Sequence, residues 1–164
     1  FAKAYGAGRV IVSEVNEPRR QFVESMGIET INPAQTDPMD LMREVTGGGG
    51  FDMVYDTSGA KSATLQMPDL TRCGGKMMSL NLSGDVYEFI IGKVSFKEIT
   101  LIGNRLYSQE DFEGGVRFVQ ENWQKLHLDR MVSDVLPLSE IDRAINMMIN
   151  GDNLCKIIID CQKV

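Results

Sequence analysis

Residues 9–20 read RVIVSEVNEPRR, and no other stretch narrows the choice of fold so far. The apolar run Val10, Ile11, Val12 has the length of a strand buried on both faces, the pattern of a parallel sheet. It ends on a single acid, Glu14, and helix-start signals follow at once: Asn16 as a cap, and Pro18 where a missing amide donor costs least. Glu14 therefore belongs at a strand's carboxyl end. In an open α/β sheet that edge binds ligands, and a carboxylate there accepts hydrogen bonds from both hydroxyls of an adenosine ribose. Its charge would also repel a phosphate on the 2′ position, so on this reading Glu14 favours NAD over NADP. The plainer reading is a solvated residue where a strand leaves the core.

The same alternation continues downstream. Phe22, Val23 and Met26 give the first helix an apolar face that Gly27 closes, residues 28–32 form a short strand, and Asp37 with Pro38 opens a second helix with Leu41, Met42 and Val45 inward. The glycine run 47–50 follows a helix and opens a strand, the reverse of a phosphate-cradling loop, and reads as a connector. Residues 51–59, FDMVYDTSG, form a third strand whose small residues at the carboxyl end would admit a ligand close to the backbone; a turn capped by Ser58 explains them as well. Residues 61–72 are helical around a disruptive Pro68, Gly74 and Gly75 turn the chain into a strand at 76–82, and residues 96–105 hold another. Strands alternating with helices predict an α/β fold, a Rossmann-like doubly wound parallel sheet with helices on its faces.

From Ser108 the capping-box pattern Ser108-x-x-Asp111 opens a helix with Phe112, Val116, Val119 and Trp123 inward, Trp123 being read as core packing. His127 just beyond it reads as a surface or structural histidine. Residues 131–136 form a strand, Ser139 caps a helix through Ile141, Ile145, Met148 and Ile149 to Gly151, and residues 156–161 form a last strand. The methionines fall at core-like positions.

Composition removes several classes of function. A chain of 164 residues suffices for one domain with a real core. A net charge of −6 without a Lys/Arg cluster disfavours nucleic acid. The nearest approach to a membrane span, residues 89–102, is interrupted by Lys93, Lys97 and Glu98. Three cysteines, Cys73, Cys155 and Cys161, make no C-x-x-C pair, and with a single histidine they argue against a disulfide framework and a zinc site, and for a reducing cytoplasm. The opening FAKAYGAG reads as the last turns of a helix closing on Gly6 or Gly8, as if the sequence began inside an element.

Taken in order, VIVSE with Arg19 and Arg20 behind it, FDMVYDTSG, the turn Cys73-Gly74-Gly75-Lys76 into MMSLN, ITLIGNR, and LPLSEIDRAINMM…GDNLCKIII resemble the medium-chain, zinc-containing alcohol dehydrogenases, including sorbitol and threonine dehydrogenases. The resemblance covers nearly the whole chain. It implies that Glu14 holds the adenosine ribose with Arg19 beside it, that Ser58 and Gly59 border the adenine side, and that backbone groups of Leu80, Asn81, Gly103 and Asn104 lie near the nicotinamide. Lys156 falls loosely near a pyrophosphate contact. The implied reaction is reversible hydride transfer between an alcohol carbon and NAD, with zinc as a Lewis acid in the full-length enzyme.

The departures matter equally. The glycine-rich loop that receives the pyrophosphate stands about 20 residues before the ribose acid, ahead of Phe1, and the strand leading into it would be central to the sheet. The expectation is thus a partial cofactor domain over residues 1–130 with a gap in its sheet, a segment 131–164 returning to a catalytic domain that is absent, and no activity alone. A homodimer or homotetramer pairing through the strand at 99–103 is the expected assembly, with a small alcohol or polyol as substrate. A zinc-free quinone oxidoreductase, an S-adenosylmethionine-dependent methyltransferase and a non-catalytic nucleotide-binding module remain alternatives.

Overall fold

A computed structural model describes residues 1–82 and 84–163. In order these form β1 (Ile11–Ser13), α1 (Glu17–Ser25), β2 (Glu29–Ile31), α2 (Pro38–Thr46), β3 (Phe51–Asp56), α3 (Lys61–Leu70), β4 (Thr71–Ser79), α4 (Ile91–Phe96), β5 (Thr100–Gly103), α5 (Gln109–Asn122), β6 (Val132–Pro137), α6 (Ile141–Asn150) and β7 (Lys156–Asp160). Every ladder is parallel: β1 with β2, β3 with β4, β4 with β5, and β6 with β7. No ladder joins β1 to β3 among the described residues.

The chain divides into two compact units, one made of Phe1–Asn32 with the chain from Ser108 onward, the other of Pro33–Tyr107. In the first unit, α1 starts where Asn16 Oδ1 accepts the Arg19 amide at 3.0 Å, and Pro18 sits in the first turn. The opening residues form one helical turn closed by paired bonds, Ala7 N to Ala2 O at 3.0 Å and Gly6 N to Lys3 O at 3.1 Å, a Schellman closure on Gly6. Both halves of the capping box of α5 are made: Ser108 Oγ accepts the Asp111 amide at 3.1 Å and the Asp111 carboxylate accepts the Ser108 amide at 2.9 Å.

The α5 stripe behaves differently from expectation. Phe112, Val116, Val119 and Trp123 are all more than a third exposed, and the buried residue is Phe118, on the other side of the helix. Phe118 stacks on Phe1 with centroids 4.2 Å apart and on Tyr5 at 5.8 Å, so an aromatic cluster of the opening turn decides which face is covered. Trp123 is therefore not core packing here. Ser139 does not cap α6 either: it lies in a 3-10 turn, Leu138–Glu140, and α6 starts without a side-chain cap.

In the second unit, α2 begins at Asp37, whose carboxylate accepts the Met39 amide at 2.9 Å. α3 packs on β3 and β4, and its Pro68 lies near the end, three residues before the chain becomes strand at Thr71. Gly74 and Gly75 lie within β4, where pairing passes from Phe51 with Thr71 to Met53 with Lys76, so residues 72–75 bulge out opposite a single residue of β3. They were expected as a turn before the strand. The core of this unit is Met67, Met77 and Ile99, with Val54, Phe89 and Val94 packed against it. α4, which the sequence did not announce, supplies Val94.

Candidate functional site

Glu14 stands one residue past β1, and its amide continues the ladder by donating to Ile31 O at 3.0 Å. Its Oε1 accepts the Asn16 amide at 2.7 Å, and Oε2 takes no hydrogen bond from the described residues. The carboxylate is thus held by one oxygen and half-buried, with the other open to a ligand donor. Arg19, in the first turn of α1, is equally half-buried, but its guanidinium is engaged: Nε donates to Asn153 O at 3.2 Å and Nη2 to Asn153 Oδ1 at 3.1 Å. Neighbouring Arg20 pairs with Glu17 and, at 3.2 Å, with Glu24.

The second unit gathers its polar residues around Asp56, the last residue of β3 and only 3% exposed. Asp56 Oδ1 accepts from Ser58 N at 2.9 Å, Ser58 Oγ at 3.0 Å and Gly59 N at 3.0 Å. Oδ2 accepts from Thr64 Oγ1 at 2.7 Å and Asn81 Nδ2 at 2.9 Å. Burial pushes this carboxyl up, but the bonds from Thr64, Gly59 and Ser58 outweigh it and hold the carboxyl below its ordinary value. The turn after β3 is correspondingly tight. Gly59 has φ of +67°, and a Cβ there would stand 3.1 Å from the Asn81 side chain, so only glycine fits without displacement. Tyr87 closes the group by donating to Gly59 O at 2.8 Å.

Of the predicted residues, the fold brings Ser58, Gly59 and Asn81 together on one carboxylate. Leu80 and Asn104 sit at neighbouring strand ends, and their amides are committed to the sheet, Leu80 N to Asp56 O at 2.9 Å and Asn104 N to Ser79 O at 3.1 Å. Their carbonyls are what remain for a ligand, and a carbonyl complements a carboxamide NH2. Gly103 pairs with Ser79 and has open space where a side chain would be. Glu14 and Arg19 form their own group in the other unit. Ser58 does not cap α3; its Oγ accepts the Ala60 amide at 3.1 Å within the turn, and the N-cap position is Ala60.

Asp56, Thr64 and Asn153 were not singled out from sequence. Asp56 carries the same signal that exposed Glu14, an acid at the end of an apolar run, whereas nothing local marks Asn153, which meets Arg19 across 134 residues. Among the described residues no three His, Cys, Asp or Glu side chains cluster as metal ligands, and the three cysteines are free thiols. These residues suit a nucleotide and do not by themselves fit zinc.

Parallel strands that alternate with helices and carry acids or small residues at their carboxyl ends are the pattern of an α/β fold of the doubly wound kind. The chain belongs to the zinc-binding dehydrogenase family, which it matches over residues 1–121. It is 28% identical over 160 residues to a 2-dehydro-3-deoxy-L-galactonate 5-dehydrogenase of Pseudoalteromonas atlantica, covering 98% of this chain and 46% of that one. It is 27% identical over 163 residues to an L-threonine 3-dehydrogenase of Proteus mirabilis, covering 99% of this chain and 47% of the relative. In fold it is similar to an alcohol dehydrogenase of Thermotoga maritima, with a TM-score of 0.85 at 24% identity over 97% of this chain and 45% of that one. The chain thus spans a little under half the length of these relatives.

Proposed function

We propose that this chain supplies the nucleotide-binding part of an NAD-dependent dehydrogenase that moves hydride reversibly between an alcohol or polyol carbon and nicotinamide. The observation that carries this is Glu14: a carboxylate at the end of a parallel strand, steadied through one oxygen and presenting the other. Bound NAD would supply the hydride acceptor. The chain's own part is to bind and orient: Glu14 and Arg19 toward the adenosine ribose, Ser58 and Gly59 toward the adenine side, and carbonyls at Leu80, Asn81, Gly103 and Asn104 toward the carboxamide. In this reading residues 1–130 are the cofactor portion and residues 131–164 lead to a catalytic portion holding zinc. β5, whose Leu101 is half-exposed at the sheet edge, is the surface proposed for pairing in a homodimer or homotetramer. The free cysteines support a cytoplasmic location.

Titrating the intact protein with NADH, NADPH and S-adenosylmethionine tests the reading, with tightest binding expected for NADH. Binding of S-adenosylmethionine alone would sink it in favour of a methyltransferase. Glu14→Ala should weaken NADH binding by about ten- to a hundredfold, the worth of hydrogen bonds to a charged group. NADPH binding should change much less, so the preference for NAD erodes. The 164-residue chain by itself should reduce no NAD with any of a panel of polyols, and any turnover would contradict the division into cofactor and catalytic portions.

A further inference from the structure

We propose that Asp56 is a positioning residue for the cofactor: one buried carboxylate locks the turn proposed for the adenine side, Ser58–Gly59, to the residues proposed for the nicotinamide side, Leu80 and Asn81. The inference rests on the reading of those four residues as cofactor contacts and adds the group beneath them that sets their relative placement.

Asp56 is almost closed to solvent and reaches both segments at once. Its Oδ1 serves the turn after β3, where the Ser58 amide at 2.9 Å, the Ser58 hydroxyl at 3.0 Å and the Gly59 amide at 3.0 Å converge on it. Its Oδ2 faces the end of β4 and accepts Asn81 Nδ2 at 2.9 Å, while the Asp56 carbonyl accepts the Leu80 amide at 2.9 Å. Both residues that follow β4 are thus fixed from one residue of β3. The Asn81 amide is oriented further by donating to Ser79 Oγ at 3.0 Å. Contact reinforces the bonds, because the Cβ position of Gly59 lies 3.1 Å from Asn81 Cβ and Cγ, so the turn and Asn81 abut. A buried charge is costly, and a turn alone can be capped by a neutral side chain. A carboxylate offers acceptors on both oxygens and bonds to it are the stronger kind, so it can bind two segments into one stiff unit where a neutral amide would turn a donor against Thr64 and Asn81.

The test is calorimetric titration of NADH, and of ADP-ribose, which carries the adenine end without nicotinamide, against the intact protein and four variants below their melting transitions. Asp56→Asn loosens both segments and should weaken NADH and ADP-ribose about tenfold each, the worth of one bond to a charged group. Asn81→Ala leaves the other donors on Asp56 and frees only the nicotinamide side, so NADH should weaken about tenfold and ADP-ribose by less than about twofold. Thr64→Val takes a donor from the same oxygen without freeing either segment, and both ligands should stay within about twofold. The exchange Asp56→Asn/Asn81→Asp again sets a donor against an acceptor, with the Thr64 and Ser79 hydroxyls free to turn, and should restore both ligands to within about threefold. Unchanged NADH affinity in Asp56→Asn would overturn the proposal. So would a loss in Thr64→Val equal to that in Asp56→Asn, since affinity would then follow stability, or a loss of ADP-ribose in Asn81→Ala equal to that of NADH, or an exchange variant that folds and recovers nothing. If Asp56→Asn does not fold, Asn81→Ala and Thr64→Val decide, and equal effects on NADH overturn the proposal. If the unmodified protein binds neither ligand, the reading of the site fails and the inference fails with it. If it binds both and the variants match it, only the inference fails.

Discussion

A carboxylate removed from water has to find its donors inside the protein, and Asp56 finds them on Ser58, Gly59, Thr64 and Asn81, with no cation among them. The group is therefore stabilised by hydrogen bonding alone, and it joins the ends of β3 and β4 to the first turn of α3. Asp56→Asn keeps the shape but turns one acceptor into a donor facing donors. It should destabilise the fold by about 1–3 kcal/mol in urea denaturation. The pH dependence has a definite sign. Folding lowers the Asp56 pKa, so its contribution is complete above the unfolded value of about 3.9 and disappears as pH falls through the lower folded value. Thermal melts from pH 5 downward should show a loss of stability that Asp56→Asn makes shallower; parallel acid limbs for the two proteins would show that Asp56 is not the titrating group.

Local rules wrote most of the element boundaries, and where they failed the reason lies in another part of the chain. Asn16, Asp37 and the Ser108–Asp111 pair all cap helices as their residue types require, because capping needs only the next three residues. The bulge at residues 72–75 depends on a partner strand 20 residues earlier: Arg72 Nε bonds Asp52 Oδ1 at 2.6 Å across it, and the Arg72 backbone lies against Gly50. Gly50 was read as part of a loose connector, yet it has φ of +93° and a Cβ there would stand 2.6 Å from Arg72 N. Gly50→Ala should therefore cost about 1–3 kcal/mol of stability. Gly115, in the middle of α5, is the opposite case, with open space around its Cβ position. Gly115→Ala should stabilise by about 0.5–1 kcal/mol. Thermal denaturation of the two variants gives shifts of opposite sign if each glycine is there for the stated reason. The candidate site divides the same way: Glu14 is legible because an acid ends a strand, while the engagement of Arg19 by Asn153 has no local trace.

Among the described residues the strands form three separate parallel sheets, and apolar burial is unevenly spread among them. The three-stranded sheet β3–β4–β5 carries the core of Met67, Met77 and Ile99, and Met77 is 1% exposed at the centre of β4, paired on both sides. β1 and β2 are three residues each, and α1 between them has no fully buried residue. On α6 only Ala144 is buried, while Ile141, Ile145 and Met148 remain at least two-fifths exposed. A helical pattern tells which residues form a stripe but not whether anything covers it, so these apolar faces looked like core in the sequence and are not core here. Amide protection follows buried contacts and paired backbone, so native-state hydrogen exchange on the 164-residue chain should rank its parts accordingly. Amides of Met77 and Met78 in β4 should exchange last, at a rate set by opening of the whole second unit. Amides of β1 and β2 should exchange earlier, through local opening that leaves β4 protected. Adding NADH to the intact protein should slow exchange at Asn16 and Arg19, where the ribose end is proposed. Equal protection of β1 and β4 in the chain alone would mean that the two units open together, and the uneven burial would then not govern stability.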